Sequence, residues 1–286
     1  MTHSQPADLS GRRILISGAA RGIGAALARR LHERGARVAL IGLEPELLAE
    51  VARSCGDAPW LECNVAVQTE VDAAVTEVVQ RLGGLDVVVS NAGVAAQMPM
   101  LGGDPSVLER TLQVNVLGTY YLLRAAGPHI SHDRGYAVAV SSLAAAVQAP
   151  LLGAYSASKA AVEALGNTLR VELAASGAKV GLAYFAELDT DMTSRGFGTE
   201  AATALSKKKP LSKVAPLSLG VDALERGIAR RSRRVVAPGW VGPVLHIRSL
   251  AQRVTDRATQ NGLQDSLRIA RTENAPLTTA QPGDHA

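Results

Sequence analysis

Aromatic residues are scarce in this chain: Phe, Trp and Tyr make up 3% of its 286 residues, although 47% are hydrophobic. The core must therefore be built from Ala, Val and Leu, which lets helices lie close on a parallel sheet. Cysteine is scarcer. Cys55 and Cys63 offer neither a disulfide framework nor a metal quartet, so reduced thiols in a cytoplasmic protein are the expectation. His129 and His132 stand beside Asp133 without a further ligand cluster nearby in the sequence, which reads as a polar turn, and no metal site is expected. No charge of one sign dominates: 30 basic residues face 26 acidic ones, for a net +4. The excess gathers in Lys207-Lys208-Lys209 and in Arg230 to Arg234, without interleaved aromatics, so these read as solvated faces and not as a nucleic-acid surface. Met1 to Arg13 lacks an apolar stretch of signal-peptide type. Tyr136 to Ser158 carries no charge, but Ser141, Ser142, Gln148, Pro150 and Gly153 interrupt it, so it reads as strand, loop and helix start and not as a membrane span.

What is present is an alternation of strand and helix signals without internal repeats. Expected strands after Arg13 to Ser17 are Arg37 to Ile41, Trp60 to Cys63, Asp86 to Ser90, Tyr136 to Ser141, Lys179 to Tyr184 and Val235 to Ala237. Helical patterns cover Ala25 to Arg34, Glu44 to Ser54, Val67 to Leu82, Ser106 to Ala126, Ala154 to Ala175 and Pro216 to Arg230. The expected organisation is a flexible start over residues 1–10, one doubly wound α/β domain over 11–240, a helical extension over 241–273 and a disordered end over 274–286. Within the domain, Gly196, Gly198 and the lysine triplet suit a mobile pocket loop over about 191–215.

Two places carry chemistry. Tyr155 and Lys159 stand four residues apart, so on a helix they share a face with Cβ atoms about 5–6 Å apart. An ammonium beside a phenol favours the phenolate and can bring a tyrosine towards working pH as a proton donor and acceptor. Near the start, the aliphatic run Arg13 to Ser17 leads into Gly18-Ala19-Ala20-Arg21-Gly22-Ile23-Gly24 and then a helix. Glycines permit close backbone approach, and free N–H groups at a helix start favour a pyrophosphate.

Together these residues resemble the classical short-chain dehydrogenase/reductase family. Ser17 to Gly24 is similar to its T-G-x-x-x-G-x-G turn with Ser for Thr, Asn91-Ala92-Gly93 to its N-A-G motif, and Asn115, Ser142, Tyr155 and Lys159 follow in its catalytic order, 27, 13 and 4 residues apart. The likeness spans about residues 10–240. It implies hydride transfer between a nicotinamide and a ketone or secondary alcohol. Tyr155 would exchange the proton with the substrate oxygen, Ser142 would hydrogen-bond that oxygen, Lys159 would lower the phenol's pKa and bind the nicotinamide ribose, and Asn115 would close a water relay to Lys159. Gly18, Arg21, Gly22, Ile23, Gly24, Asn64, Val65, Asn91, Ala92, Gly93, Leu188 and Thr190 would line the cofactor, with Asn64 on the adenine. A homodimer or homotetramer formed through the helices of Asn115 and Tyr155 is also implied.

The chain departs from the family at Asn64, which stands where the family commonly has Asp, and in three further places. Gly42 and Leu43 stand where an acidic residue would mark NAD, or an arginine NADP; Arg21, suited to a 2′-phosphate, tips the expectation towards NADP. Phe185-Ala186 replaces a Pro-Gly pair before Glu187 and Leu188. The basic, aliphatic tail from Val244 to Glu273 resembles that of reductases for lipophilic carbonyl compounds, and packing on its own domain is preferred for it over a lid, a subunit contact or a membrane-surface helix. A cofactor-binding sensor without turnover is the rival reading; Phe185-Ala186 favours it, while Ser142, Tyr155 and Lys159 oppose it.

Overall fold

Seven parallel strands lie in the order β3-β2-β1-β4-β5-β6-β7: β1 Arg13–Ser17, β2 Arg37–Gly42, β3 Trp60–Glu62, β4 Val87–Ser90, β5 Tyr136–Val140, β6 Lys179–Phe185 and β7 Arg234–Ala237. The structure, a computed structural model, describes residues 9–196, 199–205, 214–273 and 277–279. Between the strands run α1 Gly22–Glu33, α2 Pro45–Ser54, α3 Gln68–Leu82, α4 Pro105–Leu112, α5 Gly118–Ile130, α6 Gly153–Glu172, α7 Asp191–Gly196, α8 Glu200–Leu205 and α9 Leu217–Arg230. After β7 come α10 Val241–His246, α11 Arg248–Thr259 and α12 Leu263–Ala270.

Strand alternation sorts the core into two layers. Ile14 and Ile16 of β1 face Leu27 and Leu31 of α1, Leu48 of α2 and Leu224 of α9. Leu15, between them, faces Val75 and Val78 of α3 and Leu122 and Ala126 of α5. Leu15 also aligns with Ala39 of β2 and Val88 of β4, so β1 is covered on both faces and paired on both edges. The chain winds from β1 outward in one direction to β3, then returns to place β4 on the other side of β1. That reversal opens a crevice at the carboxyl ends of β1 and β4, where open α/β sheets bind ligands.

The expected helix from Ser106 to Ala126 is in fact two, joined by a π-helical turn over Gln113–Leu117. The extra residue in that turn rotates Asn115 inward, and such bulges mark functional positions. Gly118 follows the turn because a side chain there would meet Val65 Cγ2 at 2.8 Å. β6 runs one residue beyond the expected Tyr184: Phe185 aligns with Ala237, and the Ala186 N–H donates to the Ala237 carbonyl at 3.0 Å. Without a Pro-Gly pair, strand pairing simply continues.

Part of the segment expected to be disordered at 274–286 is placed against the domain. Leu277 packs against the α3–α5 layer, and Thr278 is buried beside Ala95. Gly198 and Lys207 to Lys209 of the expected mobile loop, residues 1–8 of the expected flexible start, and 274–276 and 280–286 of the expected tail lie outside the described residues. Among the described residues no helix is long and apolar enough to cross a membrane, and no group of three metal-ligating side chains gathers.

Candidate active site

The glycine turn is held rigidly against β4. Asn91, just past the end of β4, donates from its side-chain amide to the carbonyls of Ser17 and Gly18, both at 3.1 Å. Ser17 Oγ accepts in return from the N–H groups of Asn91 and Ala92. This brings the two backbones so close that a Cβ on Gly18 would lie 2.7 Å from Ala92 Cα, and one on Gly24 would lie 2.2 Å from the Gly18 carbonyl oxygen. Gly18 and Gly22 also have φ of +62° and +53°, which glycine tolerates and other residues resist. α1 begins here without a side-chain cap or an acidic residue in its first turn. Its first N–H groups thus face the cleft as an anion cradle, and the turn fits a dinucleotide's pyrophosphate. Ile23 and Asn64 line the same cleft, Val65 is buried against Gly118, and Thr190 closes over Gly22.

Arg21 points into this end of the cleft, but it is engaged. Glu44 binds it through both carboxylate oxygens, and Asp191 lies 3.7 Å away. Glu44, two residues beyond Gly42 at the start of α2, carries no signal in the sequence because its partner Arg21 meets it across the fold. Asn64 folds its Oδ1 back onto the Ala66 N–H at 3.0 Å.

At the carboxyl end of β5, Ser142 caps a short turn, its Oγ accepting from the Ala144 N–H at 3.1 Å. It is also hydrogen-bonded to the Tyr155 hydroxyl. Tyr155 and Lys159 sit one turn apart on α6, both buried. Ser141 and Lys159 lock α6 to β5: Ser141 Oγ donates to the Lys159 carbonyl at 2.9 Å, and Lys159 Nζ donates to the Val140 carbonyl at 2.9 Å. Ser141 is thus bonded to backbone, as its strand-end position implies.

Asn115 reaches the site from beneath. Its Oδ1 accepts from the Val94 N–H at 2.8 Å, while Nδ2 donates to the Val94 carbonyl and to Ser158 Oγ, both at 2.9 Å. Ser158 Oγ passes the contact on to the Tyr155 carbonyl at 2.7 Å. Gly93 lies between Asn115 and Lys159: a Cβ there would be 3.1 Å from Asn115 Oδ1 and 3.4 Å from Lys159 Nζ. Both amide hydrogens of Asn115 are therefore committed to protein groups, so a relay through water cannot use them as donors.

The expected depression of the tyrosine's pKa is not what this geometry gives. Burial pushes the Tyr155 phenol up, and only the bond to Ser142 acts in the opposite direction. Lys159 Nζ stands 5.6 Å from the Tyr155 ring centroid and faces the Val140 carbonyl, and burial brings Lys159 down to about 8. Such an environment holds a neutral phenol ready to donate a proton at neutral pH.

All sixteen expected site residues except Gly24 and Asn115 line one cleft of about 570 Å³, within the range of small-molecule sites. Gly24 and Asn115 support it from behind. Beyond Ser142 the walls are apolar: Leu143, Val147 and Leu152 come from the β5–α6 segment, and Ile247, Leu250 and Val254 from α10–α11. Residues 247, 250 and 254 recur at helical spacing and would be a solvent-facing anomaly elsewhere, since each is more than half exposed. Here they face the cleft, so the tail does more than pack on its own domain. Periodicity alone signalled an amphipathic helix but not its target.

The family model described as short chain dehydrogenase matches residues 12–201. Among curated proteins, the chain is 32% identical over 247 residues to a hydroxysteroid 11-beta-dehydrogenase 1-like protein of Gallus gallus, covering 84% of this chain and 83% of that one. It is 29% identical over 265 residues to a fatty acyl-CoA reductase of Mycobacterium tuberculosis, covering 86% and 87%. A solved short chain dehydrogenase from Burkholderia cenocepacia, in complex with NADP, aligns with a TM-score of 0.73 and 27% identity over 82% of this chain and 99% of its own.

Proposed function

Because the chain belongs to the short-chain dehydrogenase family, and is an NAD(P)-dependent oxidoreductase acting between alcohols and ketones, we propose residue roles, a cofactor and a substrate class for it. A bound nicotinamide supplies or accepts the hydride at the carbonyl carbon. The substrate oxygen is held between the Tyr155 hydroxyl and Ser142 Oγ, which already face one another across a hydrogen bond. In the reductive direction Tyr155 gives its proton to that oxygen, while Ser142 donates a hydrogen bond that strengthens as negative charge develops. Lys159 contributes a buried positive charge below pH about 8. Asn115 fixes Val94 and, through Ser158, the turn of α6 that carries Tyr155.

NADP is the proposed cofactor. Arg21 offers the guanidinium that a 2′-phosphate requires, and the Burkholderia neighbour was solved with NADP. Glu44 opposes this choice, because two carboxylates on one guanidinium leave negative charge where a further anion would arrive. NAD is therefore a competing cofactor, with Glu44 setting the balance.

The substrate class is a lipophilic ketone or secondary alcohol. The apolar stripe Ile247, Leu250 and Val254, facing the same cleft as Tyr155, carries this reading. That placement also accounts for the amphipathic tail without a membrane surface. A homo-oligomer is supported by Leu117 and Tyr120, exposed on the outer side of the Asn115 segment and α5, and a cytoplasmic location by the free thiols of Cys55 and Cys63. The test is the loss of reduced-nicotinamide absorbance with NADPH and NADH over ketones graded from cyclohexanone to fused-ring ketones. The account expects kcat/KM to rise with apolar bulk; equal or better use of small hydrophilic ketones would overturn the substrate class.

A further inference from the structure

The last described residues of the chain do not trail into solvent. Thr278 donates its N–H to the Ala95 carbonyl at 3.1 Å, and its Oγ1 accepts from the Ala95 N–H at 3.1 Å, so one residue satisfies both backbone groups of another. Ala95 is fully buried, and its neighbour Val94 is the residue gripped by Asn115. Thr278 and Thr279 line the cleft that also contains Ser142 and Tyr155.

The preceding helix is tied to the substrate loop. Ser266 of α12, fully buried, donates to the Ala201 carbonyl of α8 at 2.8 Å. Glu273, just beyond α12, places both carboxylate oxygens on α8's first N–H groups, accepting from Glu200 at 2.7 Å and from Ala201 at 3.0 Å. A carboxylate at a helix start satisfies orphan donors and the dipole together. On its other side α8 is joined to the Ala95 segment, because Thr199 Oγ1 is hydrogen-bonded to Gln97 Oε1. α12 is thus linked through α8 and Thr199 to Gln97, and Thr278 to Ala95, both in the segment that follows the cleft residue Val94.

We propose that the C-terminal segment is a substrate-specificity element of its own subunit: Thr278 and Thr279 form part of the wall of the cleft that holds the substrate, and α12 with Glu273 fixes α8 of the substrate loop. The wall rests on the two hydrogen bonds between Thr278 and Ala95, and the coupling on Glu273 and Ser266. This proposal depends on the cleft being a substrate site, and it assigns the limit on substrate size to the end of the chain.

Two variants separate these statements: a chain ending at Glu273, which keeps α12 and its carboxylate, and the full chain carrying Thr278→Val, which removes the hydroxyl acceptor while keeping the volume. Amide exchange at Ala95, read by mass spectrometry, is expected to quicken about tenfold in the shortened chain and less in Thr278→Val, with exchange at Glu200 and Ala201 unchanged in both. Ketone binding is read from Trp240, which lines the cleft, in a Trp60→Phe background. The affinity ratio of a four-ring steroid ketone to cyclohexanone should change at least about fivefold on shortening, while the Kd of NADPH holds. Unchanged exchange at Ala95 would show that the wall does not form. Faster exchange with an unchanged ratio would show that it does not select substrate. Normal NADPH binding without binding of either ketone to the full chain would remove the substrate-cavity reading, and this proposal with it.

Discussion

The side-chain amide of Asn115 holds Val94 by both of its backbone groups, accepting from the N–H at 2.8 Å and donating to the carbonyl at 2.9 Å. Asn115 is fully buried, so truncation strands polar groups that no other partner replaces. Asn115→Ala is expected to cost about 2–4 kcal/mol in urea unfolding, and to lower kcat because Ser158 and the Tyr155 turn lose their support. A loss under about 0.5 kcal/mol would show that the grip contributes little.

Lys159 gives a pH signature. Its folded value of about 8 lies below the ordinary 10.5 because burial penalises the charged form. The folded chain therefore releases this proton before the unfolded chain does, and the contribution to stability rises with pH between about 8 and 10.5, the penalty being fully present below 8. Lys159→Met should abolish activity yet raise stability at pH 7 by roughly 1–3 kcal/mol, with the gain shrinking towards pH 10.5. Calorimetry at both pH values checks this, and a lower melting temperature for the variant at pH 7 would contradict it.

Glu44 gives a cofactor signature. Glu44→Gln leaves the side chain's size unchanged but removes one of the two carboxylates on Arg21, leaving Asp191 as its only acidic neighbour among the described residues. Titration calorimetry should show NADPH gaining about tenfold in affinity relative to NADH, the scale of one charge-assisted bond. An unchanged ratio would mean that Arg21 does not meet the 2′-phosphate.

Much of this was legible in the sequence for a physical reason. The parallel sheet announces itself through short aliphatic runs separated by helices, helix spacing pairs Tyr155 with Lys159, and the likeness to the family adds Ser142 and Asn115. Asn115 could be placed, but its π turn could not, because a single inserted residue leaves the helical pattern of Ser106 to Ala126 intact. The pKa of Tyr155 was misread since spacing shows that Lys159 is near but not that Nζ turns to Val140. Glu44 and Thr278 were missed for a common reason. Each acts through a contact across the fold, Glu44 with Arg21 and Thr278 with Ala95, 183 residues away, and no local pattern carries such pairings.

The central claim is that Tyr155 delivers the proton to a substrate oxygen held by Ser142. Its most direct test is single-turnover oxidation of bound NADPH with a reducible ketone, comparing the parent chain with Tyr155→Phe. The account predicts a rate about 10²–10⁴-fold lower, the worth of a positioned general acid, with NADPH affinity and melting temperature essentially unchanged. A rate within threefold of the parent would contradict it.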